Sequence, residues 1–347
     1  MKISVPVLCF VSFVLFSGCS GKKEITGKLT VDMPTYSSGF PNDEVSASLE
    51  QITRSVKKVY SVSYYTTYKF RSDSKITSFH LKNGSFKDAA WGIVSTSETA
   101  FGSGTVVAAG HARVTLLTCA HIVLSPDTLI TRFDPVDGIP SGYIRSISIR
   151  EKQENWVKDF SGCGSFTVLA SDENTDLAIL GKNCEVPVDT IATLTCPLGH
   201  SRELQWGNFV YVFGFPMGNL VITSGLVSPA PKRPMGEFSV DALLNKGFSG
   251  GILVARRTTG NCFEMVGLVK TVSSSRENML RPDSGANTDL DWIPYTGRIF
   301  TGNSDVIHYG LNAVVPSEVI ADFYRQHRTE ILQCGYNLDA FFKYITN

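Results

Sequence analysis

The sequence lacks the patterns that usually hold zinc. It has no Cys-x-x-Cys pair and no His-Glu-x-x-His run, so no ready-made structural or hydrolytic metal site is expected. It also lacks net charge: 32 Lys and Arg balance 32 Asp and Glu. Without a basic excess, nothing steers the chain as a whole onto nucleic acid or anionic lipid. No stretch reaches 18 consecutive apolar residues, so no membrane-spanning helix is expected. Repeats, heptads and low-complexity tracts are absent too. What remains is an ordinary globular balance, 43% apolar and 18% charged over 347 residues. That length holds one large domain or two modest ones.

The N-terminus carries its own signal. Ile3 to Phe16 is almost wholly apolar and is followed by Ser17-Gly18-Cys19. A short apolar run ending in small residues reads as a secretory signal peptide. Small residues before a cysteine resemble the bacterial lipobox, although Phe16 stands where Leu is usual. The expectation is a signal peptide over 1–18, cleavage before Cys19, a lipid on its thiol, and attachment to the bacterial cell envelope. Ser20 points by analogy to the outer membrane, facing the periplasm. Residues 19–42 are polar and read as a tether. Of eight cysteines, Cys9 leaves with the signal and Cys19 takes lipid. That leaves Cys119, Cys163, Cys184, Cys196, Cys262 and Cys334, and export permits disulfides among them.

From Gly102 onward, short runs of β-branched residues alternate with Gly, Pro, Asn and Asp. Strands are predicted at 104–108, 113–118, 143–150, 166–170, 177–180, 209–213, 220–226, 251–254 and 265–272. Many short strands with turn signals indicate an all-β barrel or sandwich. Before them, Val45, Leu49, Ile52, Val56 and Val59 recur at helical spacing, and 60–70 suits a strand. Residues 71–98 read as mixed loop, and 275–308 as a long polar loop flanking a site. A helix is predicted from Pro316 to His327, and the apolar residues of 331–347 predict a tail docked on the domain.

Three segments carry chemistry. Gly247-Phe248-Ser249-Gly250-Gly251 places a serine among glycines. A serine hydroxyl needs a base to take its proton and N–H groups to hold the developing oxyanion. Ser249 is the candidate nucleophile, and the N–H groups of Gly247 and Ser249 are the candidate donors. Next, the apolar run Leu116-Leu117-Thr118-Cys119-Ala120 leads into His121, the side chain best suited to exchange a proton near neutrality. The third is the acidic turn Asp172-Glu173-Asn174-Thr175, which leads to Asp176 at the head of the apolar run Leu177-Ala178-Ile179-Leu180. There a half-buried carboxylate can orient the imidazole. The order His, Asp, Ser is that of chymotrypsin, not of subtilisin or the α/β-hydrolases. Cys163 and Cys184 stand almost symmetrically about Glu173–Asn174, so antiparallel pairing would set them opposite each other as a candidate disulfide. Cys119 reads as a buried thiol.

From about Phe101 to Phe323 the sequence resembles the trypsin-like serine peptidases, nearest their HtrA/Deg branch. The resemblance rests on Gly102-Ser103-Gly104-Thr105-Val106-Val107, on Gly207 to Gly218, on Val221 to Ser228, on Asp241 to Gly251, and on Asn312-Ala313-Val314-Val315-Pro316. It implies two six-stranded antiparallel β-barrels with a helix near each end. The domain would span 43–330, with the first barrel ending near 195. Peptide hydrolysis through a Ser249 acyl-enzyme is implied, with no cofactor and no metal, and with a protein or peptide as substrate. HtrA-type barrels often trimerise, so a homotrimer is a further implication. Leu243 and Leu244, with no acid at the base position that selects Lys or Arg, imply a primary pocket for small apolar residues. Two departures stand out. Phe248 replaces the family's Asn or Asp, which removes trypsin-style activation and leaves a resting or weakly active state open. No sequence is seen for a PDZ domain. The alternative function is a protease-fold lipoprotein that binds or holds other proteins.

Overall fold

The computed structural model describes residues 36–39, 45–133, 141–184, 191–228, 237–258, 262–282 and 296–343. The signal, Cys19 and most of the tether lie outside them. Helix α1 (Ser46–Ser55) turns its buried Ile52 inward. The helical spacing of valines continues past it, but the chain does not. Val56 and Val59 open strand β1 (Val56–Lys69). Its run of Val, Tyr and Thr favours extended backbone, and partners on both sides hold it. Strand β2 (Gly92–Gly110) pairs with it throughout, and β5 (Ile144–Val157) pairs along its other edge.

The remaining strands of the first sheet are β3 (Arg113–Thr118), β4 (Thr128–Arg132), β6 (Thr167–Asp172) and β7 (Leu177–Asn183). The order is β4-β5-β1-β2-β3-β7-β6, seven strands where six were expected. Strand β4 covers only the first half of β5. Near the other end of β5, one bridge from Asn155 to Phe166 joins it to the approach to β6. In place of the expected six-stranded barrel the first sheet is thus an open half-barrel, with β4 as an added flank. The region 71–98, expected as loop, contains helix α2 (Ser78–Lys82) and the outer half of β2. A small separate core of Phe70, Ile76, Phe86, Ile144 and Ile147 lies there.

The second barrel is closed. Strands β8 (Phe209–Gly214), β9 (Val221–Ser228), β10 (Phe238–Val240), β11 (Ile252–Arg256), β12 (Phe263–Pro282) and β13 (Ile299–Pro316) run in the order β10-β13-β12-β11-β8-β9. Strands β12 and β13 stay paired as far as Pro282 and Ile299. Much of the expected 275–308 loop is therefore a long hairpin. Val210, Val212, Val240, Leu253, Val266 and Val314 fill the barrel interior. Helix α4 (Ser317–Gln333) seals the assembly with Ile320, Phe323 and Ile331. Helix α5 (Asp339–Phe342) follows, with Phe341 and Phe342 buried and Phe342 stacked on Tyr324 at 4.2 Å. Tyr36, inside the stretch read as tether, is fully buried and bridges to Arg257 on the second barrel.

Candidate active site

His121 lies in the one-turn helix α3 (Ala120–Val123), directly after β3. Strand β3 is buried from Val114 to Thr118, so its end is a rigid platform. Asp176 sits in the turn between β6 and β7 in a left-handed conformation, φ 59°, which Asp tolerates better than most residues. Asp172 closes that turn by accepting from the N–H of Asn174 at 2.9 Å and the hydroxyl of Thr175 at 2.8 Å. Burial works against its ionisation, but these bonds outweigh it and hold the carboxyl below its ordinary range.

Asp176 grips the histidine segment at three points. Its carbonyl accepts the Ala120 N–H at 3.1 Å. One carboxylate oxygen accepts the His121 backbone N–H at 2.9 Å, and the other meets His121 Nδ1 at 2.7 Å. A carboxylate opposite Nδ1 favours the tautomer protonated there, which leaves Nε2 free to accept a proton. The Asp176 side chain is 11% exposed and that of His121 is 49% exposed, so the pair is anchored at one end and open at the other. Cys119 Sγ lies with them, the three ligand atoms within 4.8 Å of one another. Burial, then the neighbouring Asp176 charge, pushes this thiol well above its ordinary pKa, and it donates to the Val269 carbonyl at 3.2 Å. Cys119 is therefore a neutral hydrogen-bonding wall rather than a ready metal ligand.

Ser249 is half-buried in the turn between β10 and β11. The turn requires its glycines. Gly247 has φ 107° and Gly250 φ 78°. A Cβ on Gly247 would stand 2.4 Å from the Phe215 carbonyl oxygen, and one on Gly250 2.1 Å from that of Ser103. The N–H groups of Phe248, Gly250 and Gly251 bond to Asn245, Val269 and Phe248 carbonyls. Those of Gly247 and Ser249 have no protein partner among the described residues. The Lys246 carbonyl accepts from Met217 N–H, so the Gly247 N–H of the same trans peptide points the other way. Ser249 Oγ makes no hydrogen bond to His121.

Ser103 brings the serine turn to the first barrel, and the sequence marked it only by its flanking glycines. Its N–H donates to the Ser249 carbonyl at 2.8 Å, and its carbonyl accepts from the Thr118 hydroxyl at 2.6 Å. Its own hydroxyl donates to the Gly247 carbonyl at 2.7 Å and accepts from Phe215 N–H at 2.8 Å. The segments carrying His121 and Ser249 thus meet at one seam. The pocket residues divide. Leu243 is 68% exposed, whereas Leu244 is fully buried in the second barrel and lines no open pocket. Asn312 was also missed; its amide donates to the carbonyls of Val240 and Ala242 at 3.1 and 2.7 Å and braces the strand before Leu243. Phe248 faces the same barrel core. Cys163 and Cys184 form a disulfide at the base of the β6–β7 hairpin. Cys119 and Cys196 are buried free thiols.

Residues 102–268 match the family model of the trypsin-like peptidase domain. This stretch is a trypsin-like peptidase domain. A solved serine endoprotease from Yersinia pestis is similar with a TM-score of 0.41 and 15% identity, covering 83% of this chain and 68% of its own. No curated protein matches the sequence. The trypsin-like domain takes in Gly102 at the seam, His121, Asp176, Ser249 and the first residues of β12. Its fold, one closed barrel and one open half-barrel sheet, is consistent with the chymotrypsin-like arrangement.

Proposed function

We propose that this protein is an exported, lipid-anchored serine endopeptidase. It cleaves peptide bonds through an acyl-enzyme on Ser249. The observation that carries the reading is the Asp176 grip on His121, which leaves Nε2 free at the seam where Ser249 and two unbonded N–H groups lie. Ser249 Oγ attacks the substrate carbonyl as its proton passes to His121 Nε2. The oxyanion is received by the N–H groups of Gly247 and Ser249, each such donor being worth about 2.7–4 kcal/mol in the transition state. The imidazolium then gives its proton to the leaving amine, and water releases the acyl group by the reverse steps. Exposed Leu243 supports cleavage after small apolar residues. The Ser17-Gly18-Cys19 stretch supports export and lipidation at Cys19.

The test is fluorophosphonate labelling and casein hydrolysis by wild type and Ser249→Ala. Both activities are expected in wild type and in neither case in the variant. A wild type that never labels, or an alanine variant that does, refutes the mechanism. A second reading is a binding protein on a protease fold. It draws on the missing Ser249–His121 bond and on Phe248, and the same assay separates the two. Catalytic hydrogen bonds often close only when substrate is bound, so the first reading is preferred.

A further inference from the structure

One short stretch of β12 touches all three segments of the site. The Val269 carbonyl accepts from Gly250 N–H at 2.9 Å, next to the serine. It also accepts from Cys119 Sγ at 3.2 Å, two residues before His121. Lys270 follows at a bulge, skipped by the register with β13 between Val269 and Thr271, and a bulge re-aims the side chain it carries. Its Nζ pairs with Glu237 at 2.8 Å and lies 3.4 Å from the Asn174 carbonyl, two residues before Asp176. The Lys270 and Glu237 side chains are only 22% and 12% exposed. Partial burial gives such a pair more effect than a surface pair has. The turn holding Asp176 is closed from within by Asp172, and the second barrel reaches it here through Lys270.

We propose that Lys270, held by Glu237, is a positioning residue. It fixes the Asp176 turn so that the carboxylate stays aligned on His121 Nδ1. The proposal rests on the reading of His121, Asp176 and Ser249 as the catalytic set, and misplacement of such a set by about 1 Å can cost about 100-fold. The test uses the whole protein and its variants Lys270→Met, Lys270→Arg and Glu237→Gln. Two quantities are read: the proton NMR resonance of His121 Nδ1–H and the second-order rate of fluorophosphonate labelling. Thermal unfolding checks the fold. The expected result is a lost or broadened resonance and about tenfold slower labelling in Lys270→Met, a smaller loss in Glu237→Gln, and recovery in Lys270→Arg. A variant that merely loosens the fold would move the unfolding midpoint instead, and Glu237→Gln, which keeps the lysine, then decides. A resonance unchanged and a rate within twofold of wild type in both Lys270→Met and Glu237→Gln overturns the proposal. If wild type does not label at all, the reading of Ser249 fails, while the His121 resonance still decides for or against Lys270.

Discussion

Asp176 does its work through two oxygens that see the same neighbour from two sides. One takes the His121 backbone N–H, and the other faces Nδ1. An amide in its place would present an NH2 group to one of them and favour the opposite imidazole tautomer, with the proton on Nε2. Such an imidazole cannot accept the Ser249 proton. Asp176→Asn is therefore expected to lower kcat/KM by about 10⁴-fold with little change in thermal midpoint, checked by steady-state kinetics beside a melting curve. The place of Asp176 beside His121 was legible in the sequence because an acidic turn opened onto an apolar strand. Leu244 was not. Both leucines lie past the end of β10, where the chain has no regular alternation, so nothing local said which of them would point outward. Ser103 and Lys270 were harder still. Their partners Gly247 and Asn174 lie 144 and 96 positions away, and only the fold brings them together.

At the level of elements, the core strands read well because alternation and burial agree in them. Strand β3, buried from Val114 to Thr118, occupies its expected bounds. The long hairpins were misread because their outer halves are paired but not buried. The first half of β2 is exposed from Ile93 to Glu98, so it shows no apolar face and imitates a loop. The β6–β7 hairpin carrying Asp176 is tied below by Cys163–Cys184, 21 residues apart. Closing a loop of that size restricts the unfolded chain and stabilises by about 3 kcal/mol. Urea titration of Cys163→Ser/Cys184→Ser is expected to show a loss of that size. The C-terminal tail follows another rule. Asp339 accepts a fork of bonds from Arg328 at 2.8 and 2.7 Å and one from the Tyr324 hydroxyl at 2.7 Å. The Arg328 bonds hold its carboxyl below the ordinary range. A depressed carboxyl stabilises above the unfolded pKa of about 3.9 and loses that contribution as pH falls through its folded value. Amide exchange over 338–343 is thus expected to be steady from pH 7 to 5, apart from the intrinsic rate, and to quicken below about pH 4.

For the molecule as a whole, function depends on how two barrels are held in register. Ser103 belongs to the first barrel and is fully buried, yet three of its four hydrogen bonds reach the second, at Ser249, Gly247 and Phe215. The backbone bond to Ser249 survives any substitution of the side chain, whereas the two made by the hydroxyl do not. Ser103→Ala would leave the Gly247 carbonyl and the Phe215 N–H buried without a partner. Each such group costs about 1–3 kcal/mol, so stability should fall by a few kcal/mol in a denaturant titration. The same loss frees the Gly247–Phe248 peptide, next to the peptide whose N–H is assigned to the oxyanion. The rate should then fall further than stability alone explains. At a temperature where the variant is fully folded, kcat is expected to drop about tenfold or more with KM nearly unchanged, because the donor matters in the transition state and not in substrate binding. A variant that is less stable but keeps its kcat would assign the shape of the Gly247 turn to the glycines themselves and leave Ser103 as a tie between the barrels.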